Sequence, residues 1–106
     1  LLNDANEIIV ILGATDSGNG LIKTMSAKGK ELVELHAAGG GYGKISTYEP
    51  NGKELVSLTS NDNGGVVQVK NKTGEMIVGI KADDYGNGVV WAGDRKGDGR
   101  SLKPGP

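Results

Sequence analysis

Glycine returns at a near-fixed interval along this chain, and that interval limits what it can fold into. Gly29, Gly52, Gly74 and Gly97 are separated by 23, 22 and 23 residues. Gly20, Gly43, Gly65 and Gly88 keep the same spacing, and Leu12, Leu35, Leu58 and Ile80 follow at 23, 23 and 22. Three columns sharing one period describe an array of similar units, each too short to bury an apolar face alone. The expected division is one β-repeat domain over 1–106, with a partial unit 1–20, full units 21–43, 44–65 and 66–88, and a partial capping unit 89–106.

Within a unit the residue types predict a short strand, a tight turn, a second strand and a Gly/Asn/Asp loop. The first strands are Leu21 to Met25, Lys44 to Tyr48, Val66 to Lys70 and Val89 to Gly93. Ile22 with Thr24, Ile45 with Thr47, and Val67 with Val69 fall on one face at the two-residue period of a half-buried strand. The turns open with Ser26, Glu49, Asn71 or Asp94, side chains expected to accept from the turn backbone. Pro50 suits the fixed φ of a turn, and Gly29, Gly52, Gly74 and Gly97 suit a position with φ above zero. Asn6 falls at the corresponding place in the first unit, and Asn is the side chain that best tolerates that conformation. Gly20, Gly43, Gly65 and Gly88 are read as structural turn positions of the loops. The second strands, Glu31 to Leu35, Glu54 to Leu58 and Met76 to Ile80, break the alternation. Val33 and Leu35 face one way and Leu32 the other, as do Leu55 and Ile77, so cover on both faces is expected.

No stretch carries a helical period, and glycine recurs too often for a helix. The fold class is therefore all-β: a repeat array of hairpin-like units, either a monomeric β-solenoid or a β-prism built from several chains. With no Phe, three Tyr and one Trp, the chain lacks the area that aromatics bring to a core. This favours a homo-oligomer, with a trimer as the expected number. The net charge of −1 argues against nucleic acid or an anionic membrane as partner, and no apolar run approaches a membrane span. Cysteine is absent, which excludes disulfides and thiolate chemistry. The opening Leu1-Leu2 without Met reads as an excised or mature product.

The motif Gly-Lys-Glu-Leu-Val-x-Leu, seen as Gly29–Leu35 and Gly52–Leu58 and followed by a loop ending in Gly, resembles bacterial glycine-rich β-repeat proteins of extracellular or envelope type. The closing Asp94-Arg95-Lys96-Gly97-Asp98-Gly99-Arg100 with Leu102-Lys103-Pro104-Gly105-Pro106 is similar to their usual ending. The resemblance implies a β-repeat exposed outside the cell and carries no catalytic motif. A looser likeness joins it to trimeric β-prism segments of surface and phage fibres, at the level of fold.

Candidate chemistry is sparse. Gly39-Gly40-Gly41-Tyr42-Gly43-Lys44 lacks the first glycine of a phosphate loop, Ile45 follows the lysine, and no helix follows. Asn61-Asp62-Asn63-Gly64 and Asp83-Asp84 lack the bidentate Glu of a calcium loop. His36 stands alone as a loop-edge residue, without the partners a zinc site needs. Glu31 and Glu54 occupy matching positions, but Met76 replaces them in the next unit, which fits a solvated strand edge. Lys96-Gly97-Asp98 resembles an adhesion tripeptide already explained by its turn. No catalytic, metal or cofactor-binding residues are assigned, and no enzyme is expected. The expectation is a structural, rod- or fibre-like extracellular or cell-surface module. The alternative is an adhesion module binding glycan or a surface protein through Tyr48 and Trp91.

Overall fold

The computed structural model describes residues 1–104, so Gly105 and Pro106, at the end of the expected capping unit, lie outside the described residues. All nine strands form one antiparallel sheet in which chain order and spatial order coincide. They are β1 (Val10–Ala14), β2 (Gly20–Met25), β3 (Glu31–Ala37), β4 (Gly43–Tyr48), β5 (Glu54–Asn61), β6 (Gly64–Lys70), β7 (Met76–Ala82), β8 (Gly88–Gly93) and β9 (Gly99–Leu102). Ahead of β1, a bridge between Leu2 and Ile8 adds a small hairpin to that edge. The all-β expectation holds. The strands run past the expected ends because β5 and β6 continue to Asn61 and Gly64, and β9 forms where the sequence suggested only an irregular cap.

One end of the sheet carries turns of a single design. Gly29, Gly52, Gly74 and Gly97 donate their N–H to the carbonyls of Ser26, Glu49, Asn71 and Asp94 at 2.9–3.2 Å, with φ of 78° to 94°. Asn6 does the same to Asn3 with φ 66°, the only non-glycine residue with positive φ among the described residues. The first side chain of the turn holds its backbone: Asn71 Oδ1 accepts from Thr73 and Glu75, and Asp94 Oδ1 from Lys96 and Asp98. Glu49 departs from the expectation. Its Oε1 is buried without a partner, and Asn51 Oδ1 accepts from Lys53 N instead. A glutamate is one methylene too long for the short ring that Ser, Asn and Asp close.

At the other end the glycine reading needs correction. Gly20, Gly43 and Gly88 open their strands and Gly65 is second in β6, none with positive φ. The left-handed positions fall instead at Gly18, Gly40, Gly41, Gly64 and Gly86. Gly20, Gly43, Gly65 and Gly88 lie across from, or along the row of, Ala14, Ala37, Ser60 and Ala82, so one margin of the sheet carries only small side chains.

The register also corrects the reading of β3, β5 and β7. Thr24 pairs with Val33 but Met25 with Glu31, which leaves Leu32 as an extra, unpaired residue. Leu55 and Ile77 are skipped in the same way. A bulge of this kind resets the alternation. It keeps Val33 and Leu35 on one face while turning Glu31 to the other, and Leu32 at the bulge stays 43% exposed.

Pairing then aligns one continuous row across the whole sheet: Leu12, Ile22, Leu35, Ile45, Leu58, Val67, Ile80, Val90 and Leu102. Beside it on the same face runs Val10, Thr24, Val33, Thr47, Val56, Val69, Val78, Ala92 and Arg100. Nothing among the described residues lies over them. Ile22, Leu35, Ile45, Leu58, Ile80 and Val90 remain 39–45% exposed, and Val89, on the opposite face, is the one buried apolar residue among those described. The molecule measures 58 × 30 × 19 Å, a single layer where a domain ordinarily stacks two.

Gly52 has nothing within 4 Å of where a Cβ would stand, so Gly52→Ala isolates the backbone cost of the left-handed turn. We expect a loss of about 1 kcal/mol in urea unfolding, whereas Asn6→Gly leaves stability unchanged or slightly raised.

Candidate functional site

The face opposite the aliphatic rows carries a connected polar network. Lys23 leads it, because its Nζ meets Glu31 Oε1 at 2.6 Å and Glu34 Oε2 at 3.4 Å. Glu34 Oε1 accepts from the Tyr48 hydroxyl at 3.0 Å and lies 3.4 Å from His36 Nε2. The same His36 nitrogen is 3.2 Å from Ser46 Oγ, and Ser46 donates to Glu54 Oε2 at 2.7 Å. Glu54 is held further by Lys44 at 3.1 Å and Lys70 at 3.7 Å. The bulges make this possible: without them Glu31 and Glu54 would point to the aliphatic face. Both glutamates therefore stand in ion pairs, not on a solvated strand edge, and His36 lies inside β3, not at a loop edge.

Ser46, His36 and two carboxylates within hydrogen-bonding range invite a nucleophile reading, but the geometry does not carry it. Ser46 is 0% exposed and already donates to Glu54. Ser46 and Glu34 both approach the same ring nitrogen of His36, whereas a relay needs the base and its orienting carboxylate on opposite nitrogens. Ser57, next in the same row, is 2% exposed. These serines are small residues roofed by the long charged side chains around them.

The charges respond to this setting. The Glu31 hydrogen bond, with Glu34 beside it, holds the Lys23 ammonium above the ordinary lysine value. Burial, then the bond to Glu34, pushes the Tyr48 phenol up. Burial pushes the Glu54 carboxyl up, but the Ser46 hydrogen bond and the Lys44 and Lys70 ammoniums outweigh it, and its pKa lies below the usual carboxylate range.

The aromatic candidates do not converge. Tyr48 sits on β4 with its hydroxyl engaged by Glu34, while Trp91 sits on β8 of the same face, four strands away or ~19 Å. Trp91 is the more informative. Its indole lies over Gly93 of its own strand and Gly99 of β9, where any Cβ would collide with the ring. The sequence placed Gly93 at the end of a strand and Gly99 in the tail and missed their use as a floor. Beside Trp91, a recess of about 250 Å³ is lined by Val66, Gln68, Lys81 and Val89.

The polar side chains of the loops engage one another. Tyr42 donates to Asp62, and Asn63 Nδ2 donates to Asp84 Oδ1 at 2.8 Å, so these groups tie neighbouring loops together. Asp83 caps its own turn by accepting from Tyr85 and Asn87. Among the described residues no cluster of His, Asp and Glu is placed to hold a metal. Lys96-Gly97-Asp98 forms the β8–β9 turn. The chain matches no known protein-family model, and no curated protein is significantly similar to it.

Glu54 offers a pH test. A carboxyl with a depressed folded pKa contributes stability above its unfolded value of about 4.3, and loses it as the pH falls through the lower folded value. Glu54→Gln is expected to lower the urea midpoint at pH 7, with the gap to the parent protein closing below about pH 4.3.

Proposed function

We propose that this chain is a structural module, a segment of an extracellular rod or fibre whose task is to space and to assemble. In this reading its units are copies of one hairpin, stacked along the axis of a β-prism formed by several chains, three being the number favoured. The observation that supports it is the uncovered aliphatic face. A single-layer sheet whose polar side satisfies itself and whose apolar side stays bare is half of a core. A mechanical role is also supported by the polar face, where Ser46 and Ser57 are buried and His36 is engaged by Glu34 and Ser46. Sedimentation equilibrium of the purified chain is expected to return an oligomer. A stable, folded monomer would overturn this reading.

One observation favours a second reading, an adhesion module for glycan or a surface protein. Trp91 is pinned flat on glycine, beside the Gln68 amide and the Lys81 ammonium, an arrangement that suits stacking against a sugar ring. A glycan array on the parent protein and on Trp91→Ala separates the two: binding lost with the indole supports adhesion, and no binding in either leaves the structural role.

A further inference from the structure

We infer that the row from Leu12 to Leu102 is the surface on which copies of this chain pack against one another, face on face. The inference rests on the assembly reading above and names the partner and the contact that reading leaves open.

Polarity separates the two faces. Every side-chain ion pair of the sheet lies on the far face. The two aliphatic rows carry a single charge, Arg100 on β9. An occupant of this surface therefore has to be apolar, broad and almost free of charge.

A second copy has that chemistry by construction. The row is aliphatic at every one of its nine positions, so it can face itself without burying an unpaired polar group. Its size also fits. Eight steps between strands span ~38 Å, and strands of about six residues span ~20 Å, a face of roughly 750 Å². A stable association buries about 800 Å² on each partner. The margin of Gly20, Gly43, Gly65 and Gly88 beside Ala14, Ala37, Ser60 and Ala82 adds a seam without bulk, where a neighbouring sheet can come close. The flanking row of Val and Thr is already half-buried by its neighbours, so Leu58 and its row stand proud as the contact.

Thiol protection tests this directly, because the parent chain has no cysteine. Leu58 lies on β5, the middle strand of nine, so it approaches its own counterpart whether copies run parallel or opposed. Lys81 lies on the polar face and is exposed. Leu58→Cys and Lys81→Cys are prepared separately, and their assembly state is checked by sedimentation before reaction with a maleimide. Leu58→Cys is expected to react at least about tenfold more slowly than Lys81→Cys in the assembled protein, equivalent to about 1.4 kcal/mol of protection. That protection should disappear on dilution to the monomer. In addition, Leu35→Asp should abolish association while Gln68→Glu leaves it intact.

If the protein assembles but Leu58→Cys reacts as fast as Lys81→Cys, the copies meet elsewhere and this inference fails while the assembly reading stands. If the parent protein is a folded monomer, the assembly reading itself falls. Should Leu35→Asp fail to fold, the protection ratio of the two cysteine variants still decides.

Discussion

A sheet has two faces, and each must come to terms with water. In this chain the backbone does so through its ladders and turns, since each strand pairs with the next in sequence and every substantial strand-to-strand contact is of that kind. Side-chain burial does not follow. Neighbouring strands shield one another's flanks, which leaves the Val and Thr row half-covered, but no strand crosses over to lie on top of another. Hydrogen bonds add only modest net stability, because water competes for the same groups. The aliphatic face thus sets the problem the molecule has to solve, and the proposed packing of copies is one way of solving it.

The polar face shows the opposite condition. Lys23, Glu34, His36, Lys44, Tyr48, Glu54 and Lys70 engage each other or Ser46, and Ser46 and Ser57 vanish beneath them. Exposed ion pairs contribute little individually. What these provide is a face whose charges are paired within the chain, which gives a second sheet less reason to dock there than the aliphatic rows do. A bulge at Leu32, Leu55 and Ile77 supports the division, since the extra residue turns Glu31 and Glu54 away from the aliphatic rows and toward their lysines. Where the bulge at Ile77 recurs without a glutamate, Met76 pairs with Lys70, and no ion pair forms between them.

Much of the local structure was legible in residue types. Asn6 was readable as a left-handed residue from its place in the glycine column. The strands of β2, β4 and β6 followed from alternation, and that of β8 from its place in the repeat. The bulges were not legible, because Leu32, Leu55 and Ile77 look like ordinary strand residues until their partners are known. For the same reason Glu31 and Glu54 read as solvated, His36 as a loop residue, and Gly20, Gly43, Gly65 and Gly88 as turns. The role of Gly93 and Gly99 beneath Trp91 depends on two strands meeting, which their places in the sequence do not show.

By itself, then, the sequence determined the elements: where the backbone needs φ above zero, which residues alternate, and that no α-helix forms among the described residues. These are local steric and propensity effects, decided within a few residues. Only the tertiary structure decided the register, and through it which side chains share a face. One skipped residue per strand moves a glutamate from one side to the other, so the separation into a bare aliphatic face and a self-satisfied polar one depends on cross-strand partners. It was that separation, and not the glycine period alone, that exposed how little of this chain's apolar surface the chain itself can bury.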